Sequence, residues 1–342
     1  MNSGGTKATA QLAFTCRETP RVTIVIPTFR RPIALRRCIG SCLTQTGLAD
    51  ITIELLVVDN CPDASAARLV SEMSHGLEIP IRYVHEPRPG VSHARNAALY
   101  HASGEFLASL DDDEVATPGW LHSLLQTQCR YEADVVFGPV LPLIPEMADS
   151  ARRSFYMSVF KPPSDHTSGA CLSSPVLTPF WARGSKKYAV FATGNYLVRR
   201  GSPQVARVTF DERLNRVGGE DTVYFNQLAA DGARLVWCAE AIVWEPVPAE
   251  RLRLGYVLSR AFRGGQMVSW TPMLLSHPRP ALSLLSTTIG LAQSFLFAAL
   301  TCMDVLLVSP RRLNSLCRTA GALGRLFWLA PFRKRKWPSW RT

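Results

Sequence analysis

The sequence predicts an α/β fold in which a mainly parallel sheet is covered by helices on both faces. Short apolar runs rich in β-branched residues, such as Val22–Ile26 and Ile53–Val58, alternate with stretches of helical spacing. Such alternation is typical of strand–helix–strand units with parallel strands. The chain has 342 residues, 47% of them hydrophobic, and can therefore bury the core of one large domain or two smaller ones.

The predicted elements follow one another regularly over the first 140 residues. Pro27 and Asp59 end the first two apolar runs, and Pro32 suits the first turn of the helix between them. The pattern predicts strands at 22–26, 53–58, 81–85, 106–110 and 135–140, and helices at 33–43, up to 73, 91–102 and 118–131.

The pattern lapses at 141–187, a segment rich in Pro, Ser and aromatic residues. We expect a long insertion there, over the ligand-binding edge of the sheet. Order is expected to return at 188–198, followed by a helix at 220–230, short strands at 234–238 and 241–245, and an arginine-bearing helix at 250–263. The chain therefore divides into a lead-in at 1–20, an α/β domain at 21–265 and a tail at 266–342.

The net charge of +11 is concentrated in the tail. From Arg279 onward there are ten basic residues and one acidic residue, whereas the preceding 278 residues carry 28 and 26. The tail is also the most apolar part of the chain. This combination favours an anionic membrane surface as its partner and argues against nucleic-acid binding.

Ala281–Met303 has no charged side chain over 23 residues, which is about the length that crosses a bilayer core of ~30 Å. A buried helical hairpin in a soluble protein is the alternative. Basic residues flank the segment on both sides, so a re-entrant or in-plane arrangement fits the charges better than a single crossing.

Beyond this segment, Arg311, Arg318 and Arg325 recur every seven residues among apolar residues. They predict a helix in the membrane plane with arginines on one side and apolar residues on the other. The basic run Arg333–Lys336, next to Trp337, would add a membrane edge.

The nine cysteines include no Cys-x-x-Cys pair and no zinc-site spacing, and no secretory signal is expected at the N-terminus. We expect free thiols in a reducing cytosol.

A run of adjacent carboxylates, Asp111–Glu114, directly follows the predicted strand at 106–110. Repulsion disfavours such a run unless a cation or protons relieve it. Asp111 and Asp113 are two residues apart, so on extended backbone they project to the same side and can share an ion, or bind an ion and a ribose. Because Mg²⁺ takes only one or two protein carboxylates, such a site suits a nucleotide diphosphate. A solvated acidic turn is the alternative.

Residues elsewhere can complete a nucleotide site. Asp59 ends the second predicted strand and can accept the imide N–H of uracil, with Pro27 and Thr28 lining the same pocket. Arg95 would lie on a helix that faces the nucleotide and could pair with its base or phosphates. The alternatives are a helix N-cap for Asp59 and a surface position for Arg95.

Glu220 and Asp221 follow two glycines and open a predicted helix. The helix dipole keeps a carboxylate at this position ionised, so it can remove a proton from a hydroxyl within reach. A helix cap is the alternative.

Taken in order, these segments resemble the family 2 inverting glycosyltransferases with the GT-A fold. The resemblance covers roughly residues 21–265, and within the family it is strongest to bacterial enzymes that extend lipid-linked exopolysaccharide repeat units, such as the succinoglycan glucosyltransferases. It is carried by Val-Ile-Pro-Thr-Phe-Arg-Arg-Pro (25–32), Val-Val-Asp-Asn (57–60), Glu-Pro-Arg-Pro-Gly-Val-Ser-His-Ala-Arg-Asn (86–96), Leu-Asp-Asp-Asp-Glu (110–114), Thr-Gly-Asn (193–195), Phe-Asp-Glu (210–212) and Gly-Gly-Glu-Asp (218–221).

For the donor, the resemblance implies a UDP-sugar, with UDP-glucose the first choice. Asp59 would contact the uracil. Asp111 and Asp113 would handle the ribose, the diphosphate and Mg²⁺ or Mn²⁺, and Asp112 belongs with the donor-binding residues.

For the reaction, the resemblance implies Asp221 as the catalytic base, supported by Glu220, and one displacement that inverts the anomeric carbon. Gly194 and Asn195 would lie near a lipid-linked saccharide acceptor. The domain at 21–265 would be the catalytic domain, at the cytoplasmic face of the bacterial inner membrane.

The chain departs from processive relatives, because it has Ser-Arg-Ala-Phe-Arg-Gly at 259–264 in place of the Gln-x-x-Arg-Trp motif. This predicts addition of a single sugar. Arg260 or Arg263 is still expected near the diphosphate.

Three other functions were considered. A dinucleotide-dependent oxidoreductase needs Gly-x-Gly-x-x-Gly after the first strand, where this chain has Pro-Thr-Phe-Arg-Arg-Pro. A nucleotidyltransferase also clusters carboxylates, but it would release pyrophosphate. A non-catalytic protein that binds membranes or nucleic acid conflicts with the near-neutral first 278 residues.

Overall fold

The computed structural model describes residues 19–161, 166–174, 176–178, 187–188, 194–309 and 311–329. The strands are β1 Arg21–Thr28, β2 Thr52–Asp59, β3 Ile81–His85, β4 Phe106–Leu110, β5 Val115–Ala116, β6 Val135–Phe137, β7 Val140–Leu143, β8 Leu172–Ser173, β9 Lys187–Tyr188, β10 Asn195–Arg199, β11 Leu235–Trp237 and β12 Val243–Pro246. The helices are α1 Pro32–Leu43, α2 Ala67–Met73, α3 Val91–His101, α4 Trp120–Tyr131, α5 Ser150–Phe160, α6 Glu220–Ala230, α7 Leu254–Leu274, α8 Pro280–Leu306 and α9 Arg312–Leu326, with a 3-10 helix at Glu212–Arg216.

The main sheet has the strand order β11-β6-β10-β4-β1-β2-β3. Its strands are parallel except β10, which runs antiparallel to both β4 and β6. The carboxyl ends of β1, β2 and β4 therefore lie at one edge, and the start of β10 lies there too, because Asn195 pairs with Leu110. The predicted mainly parallel sheet is confirmed.

Two buried clusters cover the two faces of this sheet, as the prediction of helices on both faces requires. On one face α1, α2 and α4 pack on strand residues that include Ile24 and Val57. On the other, α3 and α6 pack on the residues in between, such as Val25 and Val58. Alternate residues face opposite sides of a strand, which explains why the strand sequences are continuously apolar.

The predicted strand at 135–140 is wrong in extent. It is divided between β6 and β7, with Gly138 and Pro139 between them. β6 belongs to the main sheet, whereas β7 joins β5 and β12 in a second, three-stranded sheet. This second sheet flanks the acidic loop, since β5 follows it directly.

The predicted insertion at 141–187 contains regular structure that the composition did not indicate. Helix α5 begins after Asp149, whose side chain accepts a hydrogen bond from the N–H of Arg152 at 2.9 Å. Phe155 and Tyr156 of α5 pack with Val257 of α7. Residues 162–165, 175 and 179–186 of this segment lie outside the described residues.

The predicted helix at 250–263 begins later and is longer, because α7 runs from Leu254 to Leu274. It passes without a break through the predicted domain boundary at residue 265, which stays a prediction. Helices α8 and α9 pack against α7 and against each other.

Helix α8 contains the predicted apolar segment. Only 6% of its most apolar stretch is buried inside the protein, and Leu291 and Phe295 are 50% and 73% exposed. By length and composition it could cross a membrane. Within the described residues, α8 therefore does not form the buried hairpin that was the alternative.

The side of α9 predicted to be apolar and membrane-facing instead packs within the protein. Leu313 and Cys317 pack against the cluster that contains Phe155 and Val257, and Gly324 is buried. On the arginine side, Ala322 is buried too, and the Cβ of Arg325 lies against Gly290 of α8. The prediction of arginines along a free in-plane helix is corrected in this respect. The lead-in and the basic run at 333–336 lie outside the described residues, apart from residues 19 and 20.

Candidate active site

A cleft of about 290 Å³ opens at the carboxyl edge of the main sheet. It lies where β1, β2 and β4 end and where α3 and α6 begin. This is the edge at which α/β sheets bind ligands. The cleft is lined by Pro27, Thr28, Phe29, Arg31, Asn60, Val91, Ala94, Arg95, Asp111, Asp112, Asp113, Glu220, Glu245 and Arg251. Among the predicted site residues, those on the cleft wall are Pro27, Thr28, Arg95, Asp111, Asp112, Asp113 and Glu220.

Strand register brings the end of β1 to the acidic loop, residues Asp111–Glu114. Val25 of β1 pairs with Ser109 of β4, so the segments that follow these two parallel strands begin side by side. The hydroxyl of Thr28 donates a hydrogen bond to Asp112 Oδ2 at 2.8 Å. Thr28 therefore lies on the cleft wall and holds Asp112 in place, while its contact with a donor stays a prediction.

Two arginines balance part of the charge of the acidic loop. Arg31 Nη1 lies 2.9 Å from Asp112 Oδ1 and 2.7 Å from Asp113 Oδ2. Arg251 Nη2 lies 3.8 Å from Asp113 Oδ2, and its Nη1 lies 2.5 Å from Glu245 Oε1. Planar guanidinium groups beside a cleft suit phosphate oxygens, which they bind in a bidentate manner.

Three carboxyl groups of the acidic loop, those of Asp111, Asp112 and Glu114, have raised pKa values. Burial raises the pKa of Asp112 to about 6, although the Arg31 charge opposes this. Burial also raises the pKa of Asp111, and that of Glu114 well above its usual range. The charges of neighbouring carboxylates add to the effect of burial, so a cation bound at the loop would favour the ionised forms of these groups.

Asp111 and Asp113 have the chemistry that a divalent cation needs. Both line the cleft, with side chains 40% and 19% exposed. In the part of the chain that the structure describes, no three His, Cys, Asp or Glu side chains are arranged to hold a metal by themselves. Mg²⁺ and Mn²⁺ accept oxygen ligands, and Mg²⁺ usually takes only one or two from protein, so these two carboxylates fit such an ion when phosphate and water supply the rest.

Arg95 joins the acidic loop to α6. Its Nη1 lies 2.6 Å from Glu220 Oε1 and its Nη2 lies 3.6 Å from Asp111 Oδ1, and its guanidinium is 5.6 Å from the ring centroid of Phe210. Arg95 and Glu220 are both 6% exposed. The positive charge of Arg95, expected from the sequence to pair with a nucleotide, is thus shared between two carboxylates of the protein. Direct contact of Arg95 with a nucleotide stays a prediction.

The glycine turn, Gly218–Asp221, starts α6 where the sequence predicted. Gly219 has φ +88°, a left-handed conformation that favours glycine. Burial raises the pKa of Asp221 to about 6, and the charge of Glu220 adds to this effect. A carboxylate with a pKa near neutrality suits proton transfer.

Side chains of α3 hold the segment that leads into the glycine turn. Asn96 donates to the carbonyl of Phe210 at 2.9 Å and accepts from its N–H at 2.8 Å. Ser92 donates its hydroxyl to the carbonyl of Asp211 at 3.0 Å, and its N–H to Asn215 Oδ1 at 2.8 Å. Two of the quoted sequence segments, 86–96 and 210–212, are therefore neighbours because one fixes the backbone of the other.

Asp59 is fully buried and holds its own loop. Its two oxygens accept the N–H of Cys61 at 3.0 Å and of Ala66 at 2.7 Å, and the hydroxyl of Tyr83 at 3.1 Å. Since Ala66 is the residue before α2, this is close to the capping role considered as the alternative. The neighbouring Asn60 is the residue that reaches the cleft, and contact of Asp59 with uracil stays a prediction.

Gly194 and Asn195 lie at the start of β10, beside the acidic loop. A Cβ on Gly194 would lie 2.0 Å from Glu114 Oε1, so a larger residue here would displace the Glu114 carboxyl group. The Asn195 side chain is buried, accepting from Trp120 Nε1 at 2.8 Å and donating to the carbonyl of Ala241 at 2.7 Å. Asn195 therefore supports the edge of the cleft, and its nearness to an acceptor stays a prediction.

Sequence reasoning missed three charged residues of the cleft. Arg31 belongs to the segment 25–32 that carries the family resemblance, so its position just after β1 could have predicted that it reaches the cleft. Glu245 and Arg251 reach the cleft from the second sheet and the loop after it, which no local pattern indicates. Neither Arg260 nor Arg263 is among the residues that line the cleft, and the Arg260 guanidinium lies 5.3 Å from the ring centroid of Phe160; contact of either arginine with a diphosphate stays a prediction.

The chain is similar in sequence to proteins of one enzyme family. The profile of the family described as Glycosyl transferase family 2 matches residues 23–182. The succinoglycan biosynthesis protein ExoM of Rhizobium meliloti is 33% identical over 251 residues, which cover 73% of this chain and 74% of ExoM.

Solved structures were compared by fold. A mannosyltransferase from Pyrobaculum calidifontis, PcManGT in complex with GDP-Man and Mn²⁺, matches with a TM-score of 0.54 and 18% identity, covering 91% of this chain and 88% of that chain. TarS 1–349 of S. aureus in complex with UDP matches with a TM-score of 0.50 and 15% identity, covering 89% of each chain. At these identities the likeness concerns the fold, and the predicted GT-A fold is confirmed.

Proposed function

Because the chain belongs to glycosyl transferase family 2, we propose that it transfers one sugar from a UDP-sugar, UDP-glucose being the first choice, to a lipid-linked saccharide with inversion. The relationship to a succinoglycan biosynthesis protein supports a role in exopolysaccharide or other surface-glycan synthesis. The single observation that carries the proposal is one cleft that combines Asp111–Asp113 of the acidic loop, three arginines and Glu220.

The donor would lie against the ends of β1 and β4. Arg31 and Arg251 would turn from Asp113 to the diphosphate oxygens, because a doubly charged phosphate chain attracts guanidinium groups more strongly than one carboxylate does. Asp111 and Asp113 would hold Mg²⁺ or Mn²⁺, which stabilises the charge of the departing UDP when bound. The bound PcManGT ligands, GDP-Man and Mn²⁺, support a nucleotide sugar and a metal as the ligand class.

Asp221 would remove the proton from the attacking hydroxyl. Its Oδ1 accepts the N–H of Thr222 at 2.6 Å, so Oδ2 is the oxygen that would take the proton. Glu220, held by Arg95, would keep the turn and the charge beside Asp221 in place.

The exposed apolar face of α8 would lie in the cytoplasmic leaflet of the bacterial inner membrane, where a lipid-linked acceptor is found. Full-length protein should sediment with anionic vesicles. Replacing Leu291 and Phe295 by Asp should abolish sedimentation, since each Asp costs about 2.5–3.5 kcal/mol at the centre of a membrane helix. Tyr100→Asp, at an 82% exposed position on α3, is the control and should leave binding intact. Vesicle binding that survives the double replacement would refute this orientation.

The proposed reaction is tested with UDP-glucose, UDP-galactose, UDP-N-acetylglucosamine and GDP-mannose, each with and without Mn²⁺. Purified full-length protein in vesicles that carry lipid-linked saccharides should release UDP from one of the three UDP-sugars only when Mn²⁺ is present. Release of pyrophosphate from a nucleoside triphosphate would instead identify a nucleotidyltransferase. Turnover of GDP-mannose alone would contradict the UDP-sugar assignment.

A further inference from the structure

Helix α7 contacts α6 at three levels along its length. At the start of α6, a Cβ on Gly219 would lie 2.4 Å from the Cε of Met267. In the middle, Val223 and Trp270 belong to one apolar cluster. Towards the end of α6, Gln227 Oε1 accepts a hydrogen bond at 2.8 Å from the N–H of Ser276, which lies two residues after the end of α7. The helix that carries Glu220 and Asp221 therefore rests on α7.

The glycine turn depends on this packing. The residue that caps α6 is Gly219, which has no side chain to accept a hydrogen bond from the first turn of the helix. The apolar cluster beneath it also includes Leu214 and Val217, which directly precede the turn, with Met267 packed against them. Met267 thus contacts the glycine turn at Gly219, the position where α6 lacks a side-chain N-cap.

The other side of α7 is closely joined to α8 and α9. A Cβ on Gly265 would lie 2.0 Å from the carbonyl oxygen of Gly321 in α9, so the two backbones are in direct contact. The hydroxyl of Ser269 donates to the carbonyl of Arg325 at 3.0 Å and lies 2.9 Å from that of Ser286 in α8. At 100° per residue, Gly265 and Ser269 lie roughly opposite Met267 and Trp270 on α7. A shift of α8 and α9 therefore reaches α6 through α7.

From these contacts we propose that Met267 is a positioning residue for the glycine turn, and that the α7–α9 unit sets the placement of Glu220 and Asp221 through it. The proposal rests on the function proposed above. Its consequence is that the packing of the apolar C-terminal helices controls the turnover number. Donor affinity, which comes from the ends of β1 and β4, should depend on this packing much less.

Two matched pairs of variants in the full-length protein test this inference. Gly264 and Gly265 are adjacent in α7, but a Cβ on Gly264 meets nothing within 4 Å whereas one on Gly265 meets the α9 backbone. Gly264→Ala is therefore the control for Gly265→Ala. Met267→Leu keeps the volume of the side chain and is the control for Met267→Ala.

The measurements are the kcat for UDP release from the nucleotide sugar that the wild-type protein uses, and the Kd of UDP with Mn²⁺ by calorimetry. Gly265→Ala and Met267→Ala should lower kcat by between about tenfold and about 100-fold, because a displacement of about 1 Å at a reacting group can cost that much. The Kd of UDP should stay unchanged. Gly264→Ala and Met267→Leu should match the wild type in both quantities.

A wild-type kcat in Met267→Ala would overturn the inference, and so would a parallel loss of kcat and UDP affinity that Met267→Leu does not rescue. If Gly265→Ala fails to fold, the Met267 pair decides, because it changes one partly buried side chain. A wild-type protein that turns over none of the four nucleotide sugars would instead refute the proposed function itself, and the inference with it.

Discussion

The acidic loop, Asp111–Glu114, and the acid pair of the glycine turn, Glu220 and Asp221, share one arginine but balance their charge differently. Asp112 and Asp113 face Arg31, whose side chain is 43% exposed, and Arg251 lies near Asp113 as well. The acid pair faces only the buried Arg95 among the ion pairs of the described residues. Arg31, 43% exposed, and Arg251, 24% exposed, can turn from a carboxylate to a bound phosphate more easily than Arg95, whose side chain is 7% exposed and fixed beside Glu220.

The substitution Asp221→Asn should distinguish the role of the glycine turn from that of the acidic loop most clearly. Loss of a general base costs between about 10² and about 10⁴ in rate, so kcat should fall by that factor while the Kd of UDP with Mn²⁺ stays unchanged. Steady-state kinetics and calorimetry measure the two quantities. Asp231→Asn, just after the end of the same helix, is the control. Wild-type turnover in Asp221→Asn would remove this residue from the reaction.

Arg95→Met tests whether the bridge is a fixed, buried ion pair. It leaves the Glu220 carboxylate buried without its partner, which costs about 3–5 kcal/mol for such pairs. The melting temperature should drop clearly, and the double variant with Glu220→Gln should recover most of the loss. Arg31→Met is the contrast on the acidic loop: the Arg31 side chain is 43% exposed, although Asp112 and Asp113 are only 7% and 19% exposed, so the loss should be smaller than that in Arg95→Met. Equal losses in both variants would contradict the comparison.

Asp113→Asn addresses the donor side alone. It should reduce the factor by which Mn²⁺ strengthens UDP binding by at least about 10–100-fold, because even substitutions of residues that only support the metal ligands cost this much at metal sites. Binding of UDP without metal should change much less. Titration of UDP at several Mn²⁺ concentrations distinguishes this outcome from a general loss of the cleft, in which both affinities would fall together.

The pH dependence of turnover follows from the raised pKa of Asp221, about 6. A base works only when deprotonated, so kcat should be constant above that pH and fall about tenfold per unit below it. The acid limb should disappear in Asp221→Asn, leaving only its low residual rate. If kcat instead begins to fall only near the ordinary pKa of an Asp side chain, burial does not raise the pKa of Asp221 in solution.

The same shifts predict a smaller effect on stability. The folded protein binds more protons than the unfolded chain between the ordinary Asp value and about 6, so Asp112 and Asp221 make it more stable as the pH falls through this range. Without metal, thermal melting should therefore occur at a higher temperature near pH 5.5 than near pH 7.5. Adding Mn²⁺ near pH 7.5 should narrow the difference. Asp112→Asn should reduce it, and an unchanged difference would contradict the role of this carboxyl group.

Local pattern was sufficient for the elements that build the cleft. The apolar runs around Val25 and Leu56 placed their strand ends to within two residues, and the run before Asp111 and the glycines before Glu220 placed a strand end and a helix start correctly. These features depend on neighbours in sequence: alternation on a strand, spacing on a helix, and the backbone freedom that Gly219 supplies.

What the sequence determined by itself is thus the α/β alternation, the position of the acidic loop at a strand end and the start of α6, because each rests on the chemistry of adjacent residues. Only the tertiary structure decided which charges meet. Thr28 and Asp112 are 84 residues apart, and Arg95 and Glu220 are 125 apart. Such pairings depend on strand register and on the packing of α3, α6 and α7, where small changes in loop path decide between a contact and none. For the same reason the burial of Asp59 in its own loop, and the contact of the C-terminal helices with the glycine turn, had no local sign.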